Sequence, residues 1–157
     1  MKRKFAIGCL CLSLLACADP KADPDEQTIM LEAGTGVVKA TITTVKIGKG
    51  PVYCALHIDD EYFPAASPII GGQRVMTADT SAVLCEFTGL PARTYAISVY
   101  QDENSNGEID YNVFGAPTEG YGASNNRLPA TSAANFDDSS FDVAVGQIVT
   151  LDIKMKN

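Results

Sequence analysis

Histidine is nearly absent: His57 is the only one in 157 residues. A Ser–His–Asp set could be assembled only around it, and no G-x-S-x-G elbow presents a nucleophile. Soft-metal carriage needs clusters of His, Met or Cys, and Met30, Met76 and Met155 are scattered. Bases are scarce as well, twelve Lys and Arg against nineteen Asp and Glu, for a net charge of −7. A surface this acidic repels phosphate backbones, so nucleic acid is not an expected partner. There is no C-x-x-C redox motif. No long segment has helical periodicity, no internal repeat or coiled coil is visible, and the apolar run at the N-terminus is too short to span a bilayer.

That N-terminal run reads as an address. Lys2, Arg3 and Lys4 precede the apolar stretch from Phe5 to Ala16, which together make residues 1–16 a signal peptide. Two cleavage readings stand. Leu14-Leu15-Ala16-Cys17 resembles the lipobox of bacterial lipoproteins, with Cys17 as the lipidation site; Ala16-Cys17-Ala18 also fits ordinary secretion. The lipoprotein reading is favoured because Cys17 falls where the apolar run stops. By similarity to Gram-negative lipoproteins, Ala18 after the cysteine points to the outer membrane, facing the periplasm or the cell surface. The membrane is then a partner through the lipid on Cys17. Loss of residues 1–16 removes three bases and no acids, which leaves a net charge of −10. Residues 17–36 read as an acidic tether, with Pro20, Pro24, Asp19, Asp23, Asp25 and Glu26 opposing a packed core. Residues 37–157 are long enough for one domain.

The domain reads as short strands. Val37–Val45 is rich in Val, Thr and Ile. Val52, Cys54, Leu56 and Ile58 share one face of the next run, with His57 on the opposite, solvent-facing side. Ala82–Phe87 and Thr94–Tyr100 follow. Phe141, Val143 and Val145 form one stripe, and Val149, Leu151, Ile153 and Met155 another. Period-two alternation marks strands with one buried face. Residues 59–81 are less decided, a short helix or a strand-edge loop. The expected fold is all-β: a single antiparallel β-sandwich of about seven strands with one long ordered loop. Cys54 and Cys85 both lie on apolar strand faces and could pair in an oxidising compartment; the alternative is two buried free thiols.

The long loop spans residues 101–139. It opens with Asp102-Glu-Asn-Ser-Asn-Gly-Glu-Ile-Asp110. Side-chain oxygens alternate at Asp102, Asn104 and Asn106, Gly107 permits a sharp turn, Glu108 would offer its carbonyl, and Asp110 closes the set. This spacing suits a hard cation such as Ca²⁺. It departs from an EF-hand: Val113 stands where the bidentate Glu belongs, and a strand leads in. Asn112, Glu119 or water would complete the shell, with affinity on the order of 10⁻⁴–10⁻³ M. The competing reading is a metal-free hairpin turning on Asn106-Gly107.

A resemblance rests on the same residues: Gly89-Leu-Pro91, Tyr95-Ala96, the Asp102–Gly107 run, Phe114-Gly-Ala-Pro117, Glu119-Gly-Tyr-Gly122, Ser124-Asn-Asn126 and Phe136. Together, over about residues 35–156, they resemble the bacterial domain-of-unknown-function family 2141. The resemblance implies a secreted, transthyretin-like or immunoglobulin-like sandwich and no known activity. Arg93 and Gln101 depart from it, at places where the family tends to have Gly and His.

Two functions follow. One is a non-catalytic binding or structural role at the cell envelope, with Phe114, Tyr121, Asn125 and Asn126 contacting a glycan or a peptide, since rings stack and amides orient. The other is an envelope hydrolase acting on glycan or ester substrates, through His57 or through carboxylates such as Asp137 and Asp138.

Overall fold

The computed structural model describes residues 36–65 and 72–157. The signal peptide, Cys17 and all of the tether before Gly36 lie outside the described residues, as do Ile69 and Ile70 of the undecided stretch. Among the described residues eight strands form two sheets. They are β1 (Gly36–Thr43), β2 (Val52–His57), β3 (Gly72–Met76), β4 (Ala82–Leu90), β5 (Arg93–Gln101), β6 (Tyr121–Ala123), β7 (Ser140–Val143) and β8 (Ile148–Lys154). A 3₁₀ turn covers Ser124–Asn126, and a one-turn helix, α1, covers Phe136–Ser139.

One sheet has the order β4-β1-β8. The other runs β3-β2-β5-β6, with β7 also paired to β5. All pairings are antiparallel except β1 with β8, which is parallel from Val37↔Ile148 to Thr43↔Lys154. Parallel neighbours need a crossover. Here almost the whole domain serves as that crossover, because β1 opens it and β8 closes it.

The period-two stripes become the core. Val38, Ala40 and Ile42 of β1 face Val52, Cys54 and Leu56 of β2, with Val83, Cys85 and Phe87 of β4 and Tyr95, Ile97 and Val99 of β5 completing the layer. Cys54 and Cys85 are both fully buried and joined by a disulfide, with Cα atoms 6.5 Å apart, so the bond staples β2 of one sheet to β4 of the other. The Tyr95 hydroxyl donates to the Pro91 carbonyl at 2.9 Å and fixes the corner where β4 turns into β5.

Three expectations are corrected. Part of the undecided stretch, residues 72–76, is the edge strand β3. The stretch 101–139 is not a single loop, since it contains β6, the 3₁₀ turn and α1. And His57 does not face solvent. It is 3 % exposed, and Ala55, Ala96, Ser98 and Tyr100 around it are buried too. The sheet carrying β2 and β5 is therefore covered on both faces: by the opposite sheet on one side, by the excursion after β5 on the other.

Candidate binding site

Gln101, at the end of β5, sets the position of the excursion. Its side chain is fully buried. Oε1 accepts the Lys46 N–H at 2.9 Å, and Nε2 donates to the Lys46 carbonyl at 2.7 Å. This two-way lock ties the β1–β2 connection to the residue just ahead of the acidic run. Gly50 completes the fit. Its φ is +85°, and an added Cβ would lie 1.9 Å from the Asp102 carbonyl oxygen, so no larger residue fits there unless the backbone moves.

The acidic run then wraps on itself. Asp102 is 1 % exposed. Its two carboxylate oxygens accept the N–H groups of Asn106 at 3.0 Å and Gly107 at 2.8 Å. Asn104 Oδ1 accepts the Asn106 N–H, and Asn106 Oδ1 accepts the Glu108 N–H. The amide nitrogens of Asn104 and Asn106 both donate to the Asp110 carboxylate, the former at 2.6 Å. The side chains at 102, 104, 106 and 110 are thus linked in one hydrogen-bonded set.

Oxygen donors of this kind suit a hard cation. Among the described residues no three His, Cys, Asp or Glu side chains form a metal-holding group, so such a site would depend on amide and carbonyl oxygens. The two supplementary ligands have other duties. Buried Glu119 accepts the N–H groups of Glu103 at 2.8 Å and Asp110 at 3.1 Å, which clamps both ends of the run. Asn112 Oδ1 accepts the N–H groups of Phe114 and Ala116, which shapes the next turn. Glu108 is exposed. The Lys46 ammonium meets Glu103 at 2.6 Å.

Beyond Asp110 the chain returns over the outer face of β5. Tyr111 bridges Pro117 across a tight turn whose tip carries Val113 and Phe114, 93 % and 91 % exposed. Between this hairpin, the segment 128–134 and the β5 residues Ser98 and Tyr100 lies a hollow of about 330 Å³. Tyr111, Phe114 and Tyr121 give it aromatic walls, and Ile109, Pro117 and Leu128 aliphatic ones. The Tyr100 hydroxyl donates to the Gly107 carbonyl at 3.3 Å, which joins the hollow's wall to the acidic run. Burial first, then nearby Tyr53, Asp102, Glu119 and Glu108, push that hydroxyl up to about 12, so it remains a donor.

Of the four residues expected to contact a ligand, Phe114 and Tyr121 meet in the hollow. Asn125 and Asn126 do not line it. The Asn125 amide donates to the carbonyls of Asp138 and Ser140; Asn126 donates to Asp152 and accepts from Lys154. Both have positive φ, which asparagine tolerates, and both tie the 3₁₀ turn to its surroundings.

His57 and Ser98 were not paired in the sequence reading, yet Nε2 and Oγ are 2.8 Å apart. The ring packs edge-on against Phe63, which packs edge-on against Phe136. Burial lowers the His57 pKa to about 4 against an opposing pull from Asp59, so the ring is neutral near pH 7. Lys156 was also missed. It lines the hollow, its ammonium lies 5.9 Å from the centre of the Tyr121 ring, and the two backbones pair through hydrogen bonds of 3.0 and 2.8 Å. Nothing near Lys156 in the sequence marks it, because its neighbour Tyr121 is far away along the chain.

Two stacked sheets, an acidic hydrogen-bonded run and an ordered excursion roofing one face define the class: an all-β sandwich domain with a single elaborated side. The chain belongs to the bacterial family DUF2141, described as an uncharacterized protein conserved in bacteria, whose pattern matches residues 40–150. That span takes in the acidic run and the excursion. No curated protein and no solved structure matches the chain.

Proposed function

We propose that this chain is an exported lipoprotein of the bacterial cell envelope, anchored at Cys17, and that its sandwich is a non-catalytic binding domain whose acidic run is stiffened by Ca²⁺. The observation that carries the reading is the hollow, which has aromatic walls and a floor on a rigid central strand. Sites of this kind, concave and mostly apolar with a few polar groups, are where small ligands and the ends of peptides or glycans bind. Phe114 and Tyr121 are the contacts. The cation would be held by Asp102, Asn104, Asn106, the Glu108 carbonyl and Asp110, and its contribution would be to fix the start of the roof.

One observation favours a second reading, an envelope hydrolase: the 2.8 Å contact between Ser98 and a neutral His57. Against it, no carboxylate among the described residues hydrogen-bonds the ring. Phe63 takes its edge instead. A triad needs a third group to orient the base. The pair is better read as a buried polar contact that satisfies both partners.

Glycan and peptide arrays probed with the mature protein, with and without Ca²⁺, test binding. A ligand lost on Phe114→Ala supports the reading, and blank arrays in both conditions count against it. Ester and glycoside substrates turned over by the wild type but not by Ser98→Ala would replace it with the hydrolase. For the anchor, Cys17→Ser should release the protein from the membrane fraction.

A further inference from the structure

The chemistry of the hollow's lining narrows what it can hold. Among the described residues twenty line it, and these include one base, Lys156, and no Asp or Glu. This is unusual in a chain where acids outnumber bases nineteen to twelve. The ammonium of Lys156 forms no ion pair among the described residues, whereas Lys39 and Lys46 pair with Glu86 and Glu103. It lies instead beside the face of Tyr121, a contact that leaves its N–H donors open to a ligand. Lys156 is itself exposed, so it stands at the mouth. Deeper in, Ser98 and Tyr100 are buried parts of the wall.

Resting on the proposal that the hollow is a binding site, we infer that its ligand is a compact molecule with an aromatic or similarly flat apolar body and one anionic group, a carboxylate in the simplest case. The body lies among Tyr111, Phe114 and Tyr121, and the anion meets Lys156. Size agrees with this. A hollow of about 330 Å³ falls at the small end of the ~300–1,000 Å³ range of small-molecule sites. A cationic ligand would find no counter-charge in the lining. A neutral ligand would gain no charge interaction from Lys156 at the mouth.

Phenylbutyrate, with its primary amide and its amine counterpart, makes the test, read by ligand-observed NMR and calorimetry on the mature protein. The expected order is acid over amide over amine, with the acid at least tenfold tighter than the amide. Lys156→Met should abolish that tenfold difference and leave amide binding as it was. Phe114→Ala should weaken acid and amide alike, without lowering the melting temperature. Equal binding of acid and amide to the wild type, or preference for the amine, overturns the inference and leaves the hollow a binding site. No binding by any of the three overturns both.

Discussion

Asp102 is where the fold and the proposed cation meet, and its replacement separates the two. The buried carboxylate takes two backbone N–H groups, from Asn106 and Gly107. Hydrogen bonds to a charged group are worth about 1.5–3 kcal/mol each. Asn106 and Gly107 are exposed, so water replaces part of what is lost. Asp102→Ala should then cost about 2–4 kcal/mol without any metal, and Asp102→Asn, which keeps one acceptor oxygen, about half as much. The cation adds a separable amount. With affinity on the order of 10⁻⁴–10⁻³ M, about 10 mM Ca²⁺ stabilises the native state by roughly 1.4–2.7 kcal/mol. For a domain of this size that is a rise of about 6–11 °C in melting temperature. The assay is thermal unfolding of the mature protein in EDTA and across a Ca²⁺ titration, for wild type, Asp102→Ala and Glu108→Ala. Wild type should rise. Glu108→Ala, which keeps the backbone carbonyl, should rise equally, and Asp102→Ala should stay flat. A wild-type melt indifferent to Ca²⁺, or a rise that persists in Asp102→Ala, refutes the cation site. A loss in EDTA below about 0.5 kcal/mol for Asp102→Ala refutes the claim that its amide contacts hold the run together.

Three more outcomes follow from the fold. Replacing Cys54 and Cys85 together by Ala opens a link between residues 31 positions apart, and chain entropy alone sets that cost at about 3–4 kcal/mol, measured by urea unfolding. Gly50→Ala drives a methyl into the Asp102 carbonyl and should destabilise the protein by at least about 2 kcal/mol, whereas Gly146→Ala, at positive φ with open space around it, should cost only about 1 kcal/mol. His57 is held neutral, with its folded pKa lowered to about 4 from an ordinary value of 6.5. The unfolded chain therefore binds the proton first. Stability from this residue is complete above pH 6.5 and declines as pH falls toward 4, by about 2 kcal/mol once solvent screening is allowed for. His57→Gln should flatten that part of the melting-temperature profile.

Six of the eight strands were legible because each repeats an apolar residue every second position over a buried face. β3 was not: Gln73 and Arg74 give it no stripe, and its order comes from pairing with β2 from Val52↔Met76 to Leu56↔Gly72. β6 is only Tyr121-Gly-Ala123, too short for a period to register. The covered outer face was hidden by composition. Ala55, His57, Ala96 and Ser98 alternate with the apolar stripe as solvent-facing residues would, and they are buried by segments distant along the chain, the returning excursion together with Phe63 over His57. For the candidate site, Phe114 and Tyr121 could be picked out as aromatics in an otherwise polar stretch. Glu119 and Asn112 were recognisable as oxygen donors, but their partners are backbone N–H groups that a sequence does not display. Lys156 enters the hollow through strand pairing, which no local pattern encodes.

The parallel pairing of β1 and β8 also gives the molecule a direction. Gly36 begins β1 beside Leu90, and Thr43 ends it beside Ala82 and Lys154. Eight residues at about 3.3 Å each separate those two poles by roughly 25 Å. Lys46, just past the second pole, holds Gln101 and Glu103, and Lys156 follows Met155, whose N–H bonds the Thr43 carbonyl. The segment ahead of Gly36 joins the domain at the proximal pole, while Lys156 and the hollow it lines stand at the distal one. The mouth beside Lys156 and the point where the chain enters β1 thus lie at opposite ends of the same strand.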